Sequence, residues 1–141
     1  MQTFMPYSVF DKSLQCLDNR RLGKQRVEAK QIYDILTGKT KTKAWKHHPA
    51  LMMWKGYEKS LALYYNCALY QWEKRGFRNI KLKPINIMVQ EINFPPWLGN
   101  EELHRSHKSN LLRKNPDYYK DFSYYVTNDL PYVWPTKEGL M

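Results

Sequence analysis

Asn19-Arg20-Arg21-Leu22-Gly23-Lys24-Gln25-Arg26-Val27-Glu28-Ala29-Lys30 is the stretch on which the reading of this chain turns. It carries five cationic side chains and one carboxylate, Glu28, and runs without a break into an apolar pattern that ends at Gly38. Leu22, Arg26, Ala29, Ile32, Tyr33 and Leu36 recur at helical spacing, which predicts a helix with these residues on its inner side. Arg21, Lys24, Gln25, Glu28 and Gln31 then fall on the outer side. Such a helix buries one face and offers the other to a polyanion. A carboxylate among the outer cations is a candidate for chemistry on that polyanion.

Working outward, a short helix is expected to open near Ser8, with its hydroxyl as cap and Leu14 and Leu17 on its apolar side. Asp18-Asn19 interrupts it or caps the next helix, and Gly38 is a natural stop because the residue after a helix often needs a positive φ. Residues 39–48 form a basic connector. Pro49 starts a helix carrying Leu51, Met52 and Trp54, and residues 57–75 form the longest one, with Leu61, Tyr65, Ala68 and Trp72 in one stripe and Gly76 as its end. Pro84, Pro95 and Pro96 keep residues 79–99 irregular, with a short helix expected over 85–92. Asn100-Glu101-Glu102 reads as the start of a helix running to Lys114, Pro116 opens a short aromatic helix over 117–122, and residues 128–135 are extended. With no convincing run of alternating strands, the expected fold class is all-α, a compact helical domain over residues 1–141.

The formal net charge is +10 over 141 residues, which favours nucleic acid, an anionic surface or an acidic protein as partner. No run of eighteen apolar residues exists to span a bilayer, which makes a membrane the weaker partner. Met1-Gln2-Thr3-Phe4-Met5-Pro6 lacks the features of a secretory signal. Cys16 and Cys67 fit neither a disulfide framework nor a zinc knuckle, so both read as buried, reduced thiols of a cytoplasmic protein. Eleven Tyr and five Trp interleave with cations, which suits stacking on bases, although most of these rings are expected in the core.

The four histidines form two pairs, His47-His48 and His104/His107, the second at i, i+3 on one helix face beside Arg105, Lys108, Ser109, Asn110, Arg113 and Lys114. Phosphate or base contact, packing within the core and metal binding compete as readings. The cationic surroundings and the lack of a joining cysteine disfavour metal. Proton transfer is open to either pair, because imidazole titrates near neutrality.

Three segments resemble a known family. Residues 17–39 hold Arg26-Val27 and end in Thr37-Gly38-Lys39. Residues 46–80 hold a long helix ending Lys74-Arg75-Gly76-Phe77. In residues 103–119, His104 follows Leu103 at a helix start, and the helix ends before Pro116 and the pair Tyr118-Tyr119. Their order and lengths resemble the phage-type pyrimidine dimer DNA glycosylases, the endonuclease V of T-even phage. The chain also looks like a subgroup with Met-Gln-Thr-Phe openings and a block like that from His104 to Lys114.

The resemblance implies an all-α fold that kinks damaged duplex DNA and extrudes a base, acting as a glycosylase with a linked abasic-site lyase step. It also implies a nucleophilic N-terminal α-amine, a nearby glutamate on the first helix, and no metal or organic cofactor. An α-amine has a pKa of about 7.7–8.0 against about 10.4 for lysine, so a useful fraction is free at neutral pH.

Two positions depart from the family pattern. The family nucleophile is a threonine exposed by removal of the initiator Met, whereas position 2 is the bulky Gln2, which assigns the amine to Met1. An ungapped register on Arg26-Val27 puts Gly23 at the acid's position, which leaves the acid to Glu28 or a neighbour.

The expected catalytic residues are therefore Met1, Glu28 and His48. The expected DNA contacts are Arg20, Arg21, Lys24, Gln25, Arg26, Lys46, His47, His104, Arg105, His107, Lys108, Ser109, Asn110 and Arg113, with Arg26 foremost. The expected partner is double-stranded DNA holding a damaged or modified base, bound by a monomer. A binding module on the same fold, with lost or altered chemistry, is the alternative.

Overall fold

A computed structural model describes residues 1–41, 47–136, 139 and 140; Lys46 lies outside the described residues. Five α-helices make the body: α1 (Phe10–Gln15), α2 (Asn19–Leu36), α3 (Pro49–Met52), α4 (Glu58–Lys74) and α5 (Glu101–Lys114). Single 3-10 turns occur at Val89–Glu91 and Lys120–Tyr124, and a two-residue antiparallel pairing joins Pro135–Thr136 to Gly139–Leu140. The all-α class is as expected.

The ends of the long helices follow from the sequence. Asp18 has extended backbone and its carboxylate accepts from the Arg21 amide, which caps α2. Asn100 caps α5 in the same way by accepting from Leu103. Gly38 and Gly76 take positive φ of 80° and 92° just beyond α2 and α4, where a side chain would be strained. α1 differs from expectation. Val9, not Ser8, precedes it, and valine has no side-chain oxygen to cap it; Ser13 Oγ bonds both the N–H and the C=O of Tyr7.

Two other helices are shorter than expected or displaced. Over 85–92 only the turn Val89–Glu91 forms, because the Asn66 carboxamide holds both the N–H and the C=O of Ile85 in an extended segment. The aromatic helix expected over 117–122 is the turn Lys120–Tyr124.

α2 and α4 pack along the middle of the molecule through Leu22, Ala29 and Ile32 on one side and Leu61, Tyr64, Tyr65 and Ala68 on the other, all fully buried. The buried residues of α2 are Leu22, Gln25, Ala29 and Ile32, so Gln25 takes the inner position that helical spacing assigns to Arg26. The reason lies in the first five residues. They cross the core as a backbone segment whose polar groups need partners away from water. Gln25 meets that need with both ends of its carboxamide. It accepts from Phe4 N (2.8 Å) and donates to the Gln2 carbonyl (2.9 Å), as a neighbouring strand would. The Tyr64 hydroxyl, 2.8 Å from the Phe4 carbonyl and 2.7 Å from Gln25 Oε1, closes the same network. Trp54 Nε1 donates to Thr3 Oγ1 at 2.9 Å.

Candidate active site

The opening segment is held from behind by α5. Met5 N–H donates to His107 Nδ1 (2.8 Å), and His104 Nδ1 lies 2.7 Å from the Met5 carbonyl. His104 Nε2 accepts from Gly99 N–H at 2.9 Å, so its proton sits on Nδ1 and is donated to Met5. His107 carries its proton on Nε2 by the same logic. Both rings are neutral, and burial lowers both pKa values, that of His107 to about 3. The expectation that this pair faces DNA is corrected: the two imidazoles clamp one peptide of the opening segment inside the protein.

Ser106, Ser109, Asn110 and Arg113 of α5 likewise have partners within the protein. The extended tail has no ladder of its own over 128–133, so its backbone takes partners from α5. Ser106 Oγ accepts from Val133 N, Ser109 Oγ accepts from Leu130 N, and Asn110 Nδ2 donates to the Leu130 carbonyl. Arg113 donates to the Asn128 carbonyl at 2.6 Å and to Asn110 Oδ1. Ser109 and Asn110, expected at DNA, are buried against the tail, while Arg113 bonds the tail and stays exposed.

This bracing delivers four pieces of chain to one cleft of about 380 Å³. The opening segment contributes Met1, Gln2 and Phe4; α2 contributes Arg20, Arg21, Lys24, Gln25 and Glu28; the end of α5 contributes Lys114; the tail contributes Tyr132. Four cationic side chains face one carboxylate, so the cleft is positive. Glu28 accepts from the Gln2 N–H at 3.1 Å, which places the acid one residue from the Met1 amine. Arg21 is oriented by an ion pair with Asp18 at 3.1 Å. Burial would raise the Asp18 carboxyl, but hydrogen bonds from Tyr119 and Arg21 prevail and hold it below its ordinary value.

His48 lies within electrostatic reach of the chain's N-terminal amine but does not line the cleft. Burial lowers its pKa, and the positive charge of the chain's N-terminus lowers it further. Its Nδ1 accepts from Ala50 N–H at 3.0 Å and so caps α3. As a neutral ring it carries its proton on Nε2, which makes it a donor there.

The remaining expected contacts lie apart from the cleft. Arg26 points toward α4: its guanidinium stacks over Trp72 at 4.2 Å and donates to Asn79 Oδ1 at 2.7 Å. The foremost expected DNA contact is thus occupied in packing. Gly23 also faces α4, and a Cβ built there meets the Trp72 ring at 3.2 Å, so a glutamate at this position would strike the ring. The ungapped register thus points to the face of α2 that packs on α4, away from the cleft. Lys108 sits over the Tyr7 ring at 4.7 Å, Arg105 is exposed near the Tyr125 carbonyl, and His47 is exposed. Cys16 and Cys67 are free and half-buried, with burial raising each thiol to about 12. Among the described residues no group of three or more His, Cys, Asp or Glu side chains could hold a metal ion, and no helix is long and apolar enough to cross a membrane.

The model of the pyrimidine dimer DNA glycosylase family matches residues 1–84. The chain belongs to this family. The match spans the opening segment, α1 to α4 and most of the cleft, while Lys114 and Tyr132 lie beyond it. Neither curated proteins nor solved structures gave a match. Membership places the chain among DNA-repair glycosylases and implies pyrimidine dimers in DNA as the target.

Sequence reasoning missed Gln2, Phe4, Lys114 and Tyr132 as residues of the cleft. Gln2 drew notice only as an obstacle to removal of Met1. The tail's Pro131-Tyr132-Val133-Trp134-Pro135 carried no signal of where it would lie.

Proposed function

We propose that the cleft is the active centre of a DNA glycosylase with linked abasic-site lyase activity, acting on damaged or modified pyrimidines in duplex DNA. The Met1 α-amine attacks C1′ of the deoxyribose. A C–N bond to the amine forms, the glycosidic bond breaks, and the base departs with its electron pair and takes up a proton. Loss of the amine proton and opening of the sugar ring leave an iminium. Removal of a C2′ proton then expels the 3′ phosphate and cleaves the strand. Glu28 fixes the opening residues through Gln2 N–H, accepts the proton shed by the amine and offsets the cationic imine. Arg20, Arg21, Lys24 and Lys114 hold the flanking phosphates. His48 donates from Nε2 near the amine.

The observation that carries this reading is the Glu28 carboxylate at 3.1 Å from the Gln2 nitrogen, at the mouth of a cationic cleft. It supplies the acid that the linear register lacked, beside the family's nucleophile position.

Borohydride reduction during incubation with duplexes holding a cyclobutane dimer or an abasic site tests it. A covalent protein–DNA adduct whose peptide mass maps to the N-terminus is expected. Glu28→Gln keeps an oxygen for the Gln2 N–H and should slow adduct formation on the order of 100-fold or more. If the protein has a free N-terminal amine by sequencing and no adduct forms with either duplex, the amine mechanism fails and a DNA-binding module on this fold takes its place.

A further inference from the structure

Tyr132 reaches the cleft from a part of the chain outside the family match, which ends at residue 84. Its placement is fixed from both sides. Ser109 Oγ accepts from Leu130 N–H at 2.9 Å and Ser106 Oγ from Val133 N–H at 3.2 Å, so the backbone before and after Tyr132 is tied to α5. Its ring makes a T-shaped contact with His107, centroids 5.4 Å apart, and a tilted one with Trp134 at 5.5 Å. Trp134 in turn meets His48 at 6.3 Å. The tail thus runs from the clamp histidine of α5 to the cap of α3 and turns one phenol into the cleft.

That phenol bonds the Gln2 side chain. The Gln2 side-chain oxygen accepts from Thr3 N–H at 2.8 Å, which leaves its amide end to face the tyrosine. Burial, with the Glu28 charge as a lesser cause, raises the Tyr132 pKa against the pull of Gln2, Arg113 and Arg21, so the group is a neutral phenol at neutral pH. The Gln2 backbone is held separately, its N–H by Glu28 at 3.1 Å and its C=O by Gln25 at 2.9 Å. Both backbone partners lie on α2, which leaves a hinge about that line of contact. A third hold, on the side chain and from a different element, removes the hinge.

We propose that Tyr132 is a positioning residue of the cleft: by holding the Gln2 side chain, its hydroxyl sets the direction of the adjacent Met1 amine relative to Glu28. It acts through Gln2 and not on the DNA. The proposal rests on the glycosylase–lyase reading and adds to it a residue that the family match does not reach.

Single-turnover borohydride trapping on an abasic duplex, run over a range of protein concentrations, separates the maximal rate from half-saturation. Tyr132→Phe keeps the ring against His107 and Trp134 and removes only the hydroxyl. Its maximal rate should fall about tenfold, with half-saturation within about twofold of the wild type. Gln2→Met keeps bulk beside Met1 and removes the side-chain hydrogen bonds, so it should slow trapping as well. Adding Tyr132→Phe to it should cost no further rate, because the hydroxyl then has nothing to hold. Amide hydrogen exchange in the free protein should accelerate at Gln2 in Tyr132→Phe and stay unchanged at Met5, which the histidines hold. Melting curves verify folding, and N-terminal sequencing verifies that each variant keeps Met1.

An undiminished maximal rate in folded Tyr132→Phe or Gln2→Met overturns the proposal alone, since trapping by the wild type upholds the lyase reading. So does a fully additive loss in the double variant. Equal acceleration of exchange at Met5 also overturns it, because Tyr132 then only packs against α5. No adduct from wild-type protein with a free N-terminal amine overturns the glycosylase–lyase reading and this proposal together.

Discussion

The two-histidine clamp makes the site acid-labile, and the size of the effect follows from the structure. Neither ring can take a second proton without facing a donor. On His107 the new proton would meet the Met5 N–H, and on His104 it would meet the Gly99 N–H. His107 is fully buried against the Phe4 and Tyr132 rings, with His104 as its charged-state neighbour, and burial first, then that neighbour, lowers its pKa from 6.5 to about 3. His104 is lowered too, by burial and by Lys108, against the stabilising Met5 carbonyl.

The folded-state pKa is depressed, so below 6.5 the unfolded chain binds a proton that the folded one refuses. The stabilisation is fully present above 6.5 and is lost as pH falls toward the folded value. At about 1.4 kcal/mol per pH unit once below the unfolded pKa, His107 alone removes about 2 kcal/mol between pH 6.5 and 4.5. His104 adds loss in the same direction. Asp18 is also depressed, but from 3.8, so it acts below this window.

Urea unfolding at half-unit steps from pH 7.5 to 4.5 measures the slope. His107→Gln keeps an acceptor for Met5 N–H without a titrating proton, and should remove most of it. Hydrogen exchange at the Met5 amide should accelerate over the same range in the wild type, ahead of the α2–α4 core. A decrease under about 1 kcal/mol across the window, or an undiminished slope in folded His107→Gln, would refute the neutral clamp.

The cleft cations and the cations away from it should separate by salt. Alanine at Arg20, Lys24 or Lys114 is expected to weaken duplex binding and to reduce the slope of log affinity against log salt by about 0.9 for each phosphate no longer neutralised. Arg26→Ala should leave that slope unchanged and instead lower stability by about 1–2 kcal/mol in a melt, because it strips the guanidinium from the Trp72 face and a hydrogen bond from Asn79. Gly23→Ala gains about 1 kcal/mol of helix propensity but pushes on Trp72, which Phe77 backs at 4.2 Å, so denaturant unfolding should show no net gain. Tyr64→Phe removes the hydroxyl joining Gln25 to Phe4 and should cost about 1–3 kcal/mol by the same measurement.

The helices were legible because their signals are local. The caps Asp18 and Asn100, the stops Gly38 and Gly76, and the stripe of α4 each act within a few residues of where they are read. The polar side chains were not, because their roles depend on partners far along the chain. Gln25 serves Gln2 and Phe4, His107 serves Met5, and Ser109 serves Leu130. A glutamine on a cationic helix and a histidine beside lysines look DNA-facing when the segment that claims them is invisible. The same blindness hid Arg26. Its charge argued for phosphate, while Trp72, 46 positions later in sequence and one helix away in space, offered it a ring.

The place of the proposed catalytic acid follows from the same geometry. A helix position is defined by the face it turns to the substrate, and register alone does not fix that face. Gly23 turns to α4 and Glu28 turns to the opening segment, although they lie only five positions apart on one continuous helix. Because the opening segment is locked at Met5 by two histidines and at Phe4 by Gln25, the nucleophile's end of the chain has little freedom to seek an acid elsewhere. In the proposed mechanism the acid comes from the face of α2 that the segment crosses. On that face, among the residues lining the cleft, Glu28 is the only carboxylate against four cationic side chains. Moving it one turn back by the double substitution Lys24→Glu with Glu28→Lys keeps the net charge and a carboxylate in the cleft. If position on that face decides, the swap should abolish borohydride trapping while leaving duplex affinity near that of the wild type. Retained trapping would show that any acid in the cleft suffices and that the 3.1 Å contact with Gln2 is incidental to the chemistry.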